Sequence, residues 1–76
     1  MASYNQSKKE FTRSVIDDLR DTDNYPDGVY LKRTYAYALK QWGFGRLSVD
    51  RMLQTLEDGD LLRVSGNMIE NARVPK

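Results

Sequence analysis

The sequence predicts an α+β domain of three helices and a C-terminal β-hairpin, with a short strand near residues 29–31. Three observations carry that expectation. Apolar residues recur at helical spacing in three separate segments. The second and third of these are parted only by a tight break containing Gly43 and Gly45. After the third, Gly66-Asn67 sits between two apolar stretches, the signal of a two-residue hairpin turn.

Residues 1–6 are polar and are expected to fray. Ser7-Lys8-Lys9-Glu10 then fits a capping box, with Ser7 accepting from the third helical amide and Glu10 reaching back. Phe11, Val15, Ile16 and Leu19 form one apolar stripe on a helix of roughly 8–20. Pro26-Asp27-Gly28 breaks the chain: proline presets φ, the Asp bonds locally and glycine accepts positive φ. Residues 29–31 can then pair at the edge of the later hairpin.

The second helix, 31–42, places Leu31, Tyr35, Ala38, Leu39 and Trp42 on one side, at offsets that match a 3.6-residue period. Gly43 ends it as a left-handed C-terminal residue, with Phe44 supplying the accompanying apolar contact. Ser48 is the expected N-cap of the third helix, 48–58, with Leu47 and Met52 as a hydrophobic staple. Val49, Met52, Leu53 and Leu56 are its core stripe, and Gly59 stops it. In the hairpin, a type II′ turn at Gly66-Asn67 sets Val64 opposite Ile69 and Arg63 opposite Glu70, and the second strand runs to about Val74.

Seventy-six residues make one small domain, 7–76, near the lower end of what folds alone. The chain has no cysteine for a disulfide and neither cysteine nor histidine for a transition metal. Stability then rests on a compact core, helped by a homodimer or a protein partner. Twelve Lys+Arg against 11 Asp+Glu give a net charge of only +1, so nucleic-acid binding would need an uneven charge distribution. No apolar run approaches a membrane span and the N-terminus lacks a signal-peptide core, which makes a soluble cytoplasmic protein the expectation.

Leu47-Ser48-x-x-x-Met52-Leu53-x-x-Leu56-x-x-Gly59-x-Leu61-Leu62, followed by Gly66-Asn67, resembles the winged helix-turn-helix superfamily over roughly residues 8–74. The resemblance is to the superfamily and to no particular subfamily. It implies double-stranded DNA as partner, with the third helix in the major groove and the hairpin, or wing, on the backbone or minor groove. A sizeable minority of such domains bind proteins instead.

Removing the core stripe from the third helix leaves Asp50, Arg51, Gln54, Thr55 and Asp58 pointing outward. Arg51 can read guanine, Gln54 can read adenine, and Thr55 can touch a phosphate or a thymine methyl. Arg46 and the helix N-terminus around Ser48 can hold phosphate. The plainer alternative pairs Arg51 with a neighbouring acid and leaves Gln54 as a helix-former. Asp50, Glu57, Asp58 and Asp60 argue against DNA, Asp50 most of all. In the wing, Arg63, Asn67 and Arg73 are candidates, although Asn67 can simply serve the turn and Arg63 can pair with Glu70. Lys32, Arg33 and Lys40 on the second helix can grip the sugar–phosphate backbone or form a solvated face. Lys8 and Lys9 fit badly at a helix N-terminus, a hint of an anionic partner there.

Catalysis has little support: there is no Gly-rich phosphate loop and no nucleophile elbow. Asp17-Asp18 and Glu57-Asp58 splay apart on their helices. Neither an enzyme, a cofactor nor a small-molecule substrate is expected. Two readings remain. One is a small sequence-specific DNA-binding protein, a transcriptional regulator or a phage- or plasmid-type accessory factor. The other is a winged-helix interaction module, an inhibitor or adaptor using exposed tyrosines such as Tyr37 and its acidic patches.

Overall fold

The computed structural model describes residues 4–72. The chain runs α1 (Tyr4–Arg20), β1 (Val29–Tyr30), α2 (Leu31–Trp42), α3 (Arg46–Asp58), β2 (Arg63–Ser65) and β3 (Met68–Glu70). It is α+β: three helices and one antiparallel sheet of order β1-β3-β2. The hairpin register is the expected one, with Val64 opposite Ile69 and Arg63 opposite Glu70. Gly66 has φ +60 and Asn67 does not enter positive φ, as a type II′ turn requires. β1 joins the free edge of β3 through Val29 opposite Ile69.

The core takes one stripe from each element. Phe11, Val15 and Leu19 come from α1, Val49, Met52, Leu53 and Leu56 from α3, and Val29, Leu62 and Ile69 from the strands and their approach. Trp42 closes one end. Its ring lies 5.8 Å from Phe11 and 6.0 Å from Phe44, and its indole N–H donates to Glu10 Oε2 at 3.1 Å. The amphipathic polar tip of the tryptophan therefore stays satisfied while its ring seals the core.

Several local expectations are corrected. α1 begins at Tyr4, so Ser7 lies inside the helix and forms no capping box. The helix extends there because Tyr4 packs edge-on against Phe44, with centroids 5.8 Å apart. Lys8 and Lys9 consequently fall in the second turn, and the supposed conflict with the helix N-terminal field disappears. α3 begins at Arg46 with Gly45 as its N-cap, so Ser48 caps nothing and Arg46 belongs to the helix. Leu47 makes no staple, since it is 75% exposed while Met52 is buried.

On α2, Leu39 is 61% exposed and Thr34 is buried in its place. The core-facing stripe is rotated toward Thr34 and Ala38. Gly43 ends α2 as expected, with φ 73, its amide returning to Leu39 O at 2.9 Å and the Phe44 amide to Ala38 O at 3.3 Å. β2 starts at Arg63, after Asp60 has turned the chain with φ 59. β3 ends at Glu70, and the expected continuation to Val74 lies outside the described residues.

Candidate nucleic-acid interface

α2 and α3 cross with three residues between them, and this crossing builds the charged surface. Arg46, in the first turn of α3, lays its guanidinium over the Tyr35 ring of α2, 5.1 Å from the centroid. The Tyr35 hydroxyl donates to Asp50 Oδ1, one turn further along α3. That hydrogen bond, followed by burial, raises the Tyr35 phenol above its ordinary 10.0, while Arg46 opposes the shift. The phenol keeps its proton and remains a donor. Asp50, the carboxylate expected to repel phosphate most, is therefore occupied by a neutral partner and flanked by a cation.

Beside this cluster, Tyr30, Leu31, Lys32, Tyr35, Arg46 and Asn67 line a cleft of about 430 Å³. Its walls come from three elements: the β1–α2 junction, the start of α3, and the β2–β3 turn. The turn is fixed to α2 by the Leu31 amide, which donates to the Asn67 carbonyl at 2.8 Å. That contact uses the backbone carbonyl of Asn67, which any residue could supply, and the residue also lines the cleft. No carboxylate lines it. Among the described residues neither Lys32 nor Arg46 has a carboxylate partner.

The outward face of α3 carries Arg51, Gln54, Thr55 and Asp58, all exposed. Among the described residues the Arg51 guanidinium has neither a hydrogen-bond nor an ion-pair partner, so the expected pairing with a neighbouring acid does not form. Gln54 Nε2 donates to Asp58 Oδ1 at 2.9 Å, which uses one of its two N–H groups and leaves the other with Oε1 for a base edge. The Thr55 hydroxyl donates to the Arg51 carbonyl at 3.1 Å. A phosphate is an acceptor and would need that same proton, so the phosphate role drawn for Thr55 is lost and its methyl remains. Ser48 is half-buried in the first turn.

Three basic candidates lie elsewhere. Arg33 bonds Asp18 of α1 at 3.2 Å and stacks over Tyr25 at 5.0 Å, which ties α2 to the α1 side of the molecule. Lys40 is exposed two turns beyond Lys32 and does not line the cleft. Arg63 is half-buried opposite Glu70, with its Nε enclosed and lacking a hydrogen-bond partner. Arg73 lies outside the described residues.

Two contacts were invisible in sequence. Glu57 Oε2 accepts the Val64 amide at 3.1 Å, fastening β2 to α3 and occupying a second carboxylate. The Tyr35–Arg46–Asp50 cluster joins residues 11 to 15 positions apart through a helix crossing that no local pattern encodes. Away from the cleft lining, Asn5, Lys8, Lys9, Thr12 and Arg13 border a shallow depression on α1. Lys8 there covers Tyr4, and Arg13 approaches Asp17 at 4.0 Å.

Among the described residues no group of acidic side chains converges to hold a metal, and no helix is long and apolar enough to cross a membrane. No family model, curated protein or solved structure matches the chain.

Proposed function

We propose that this chain is a winged helix-turn-helix protein that binds duplex DNA, with α3 in the major groove and the β2–β3 hairpin as the wing. The observation that carries the reading is the cleft. Lys32, Arg46 and Asn67 come from three elements and meet at the start of α3 with no carboxylate among them. Two cations and an amide at that place suit a phosphate of the backbone, which fixes register. Arg51 and Gln54 follow along the same helix, free to meet base edges. The engaged state of Asp50 and Glu57 supports the reading further, because hydrogen-bonded carboxylates at the helix flank repel a phosphate less than bare ones.

The reading is tested by titrating the labelled chain with a duplex and following amide chemical shifts. The largest changes are expected at Lys32, at 46–55 and at 66–67. Changes confined to the basic end of α1, around Lys8, Lys9 and Arg13, would contradict this placement.

A protein-interaction module remains the second reading, favoured by one observation: Leu39, 61% exposed on α2 beside Tyr37 at 44%. The Tyr37 ring packs edge-on against Trp42 at 5.6 Å, so its apolar body already has a partner. The same titration separates the two, since a protein-binding module leaves the shifts unchanged by duplex.

A further inference from the structure

Leu47 is the most exposed large apolar side chain among the described residues, at 75%. It belongs to a helix whose other four large apolar residues, Val49, Met52, Leu53 and Leu56, are all buried. A helix repeats every 3.6 residues, so Leu47, Arg51 and Gln54, at offsets of 4 and 7, share one stripe opposite the buried one. All three are exposed. Arg51 and Gln54 can exchange hydrogen bonds with bases; Leu47 can recognise only another apolar group. The edges of base pairs in the major groove present one such group, the C5-methyl of thymine.

We propose that Leu47 is a specificity residue that packs against the C5-methyl of a thymine in the bound duplex. The inference rests on the DNA reading of α3 given above. Charge selects a duplex over an apolar protein groove as the occupant of this stripe. Arg51 lies one turn from Leu47 without a partner among the described residues, and Arg46 directly precedes Leu47. An apolar groove would bury those guanidinium groups uncompensated, whereas a duplex supplies anions on both sides.

The helix also sets the spacing. A rise of about 1.5 Å per residue places Leu47 roughly 6 Å from Arg51 along the axis, with Gln54 roughly 4.5 Å beyond on the other side. Base steps of about 3.4 Å then put the thymine about two steps from the guanine that Arg51 reads, away from the adenine that Gln54 reads.

Selection from a random duplex pool supplies a bound site, and anisotropy titrations then compare it with copies in which each thymine in turn is replaced by deoxyuridine. That replacement removes one methyl and nothing else. One position is expected to weaken binding about fourfold, the value of one buried methylene-sized group. With Leu47→Ala the thymine-to-uracil ratio at that position falls to about one, and the fold persists because the side chain was 75% exposed. If every deoxyuridine duplex binds as tightly as its parent, or Leu47→Ala retains the fourfold difference, the inference is overturned and the DNA reading stands. If selection recovers no duplex bound above background, the DNA reading falls and this inference with it.

Discussion

Gly28→Ala is expected to unfold the domain or bring it to the edge of unfolding. Gly28 closes the turn that starts at Tyr25, donating to the Tyr25 carbonyl at 3.2 Å, and holds φ +104. A side chain is strained at that angle, and the space for one is absent. A Cβ built there would stand 2.3 Å from the Ile69 carbonyl oxygen, a backbone atom that cannot swing aside. Relief requires β1 to move away from β3, which separates Val29 from Ile69, two residues at the centre of the core. Strained backbone and lost packing together cost on the order of 3–5 kcal/mol. A domain of this length has about 4–11 kcal/mol in total. Urea unfolding followed by circular dichroism measures the loss. A midpoint within error of the wild type would show that β1 does not depend on the close approach. Gly66→Ala is the useful contrast, since its Cβ would meet nothing within 4 Å and only its φ of +60 is strained.

Turn and strand register were legible in the sequence because they depend on few residues. Gly28, Gly43 and Gly66 act through local backbone preference, and each takes in the structure the positive φ that its turn requires. The pairing of Val64 with Ile69 followed from the two-residue turn alone. Helix starts were legible only in part. Ser7 and Ser48 have the side chains of N-caps, yet both helices begin earlier. At α1 the Tyr4–Phe44 contact outweighs the cap, and at α3 Gly45 lets the chain turn directly into the helix, with its carbonyl accepting from Val49 at 3.1 Å. A capping preference is worth about 1 kcal/mol, which one aromatic contact can match.

The candidate site divides in the same way. Exposure of Arg51, Gln54 and Thr55 followed from periodicity, because subtracting the buried stripe of a helix leaves its outer face. Partners did not follow. Arg33 and Lys32 are adjacent in sequence and looked equivalent, but a helix turns about 100° per residue. One consequently faces Asp18 of α1 and the other the cleft beside Arg46. Leu47 was misplaced for a related reason: an apolar residue before an expected cap reads as a staple, and moving the helix start by two residues carries it to the outer face.

Arg51→Ala is expected to weaken binding to the preferred duplex by about 10- to 100-fold, the worth of one bidentate arginine–guanine contact. Its side chain is exposed and has no partner among the described residues, so the melting temperature should stay within about 3 °C of the wild type. The substitution should also flatten discrimination at one base pair and leave binding to unrelated duplexes little changed. Lys32→Ala provides the opposite signature, weakening all sequences alike, because a phosphate contact carries no base information. Equal losses on specific and random duplexes with Arg51→Ala would remove this residue from base reading and return it to the backbone.

The most direct measurement is an anisotropy titration of the chain on a mixed-sequence duplex at about 50 and then 200 mM salt. Lys32 and Arg46 are the exposed cations without carboxylate partners that the cleft offers to phosphates. Two neutralised phosphates give a log–log slope of about −1.8, or roughly twelvefold weaker binding at the higher salt. Binding with that steepness is the predicted result. An absence of binding at the lower salt, or an affinity that does not respond to salt, would contradict the assignment of this face to DNA.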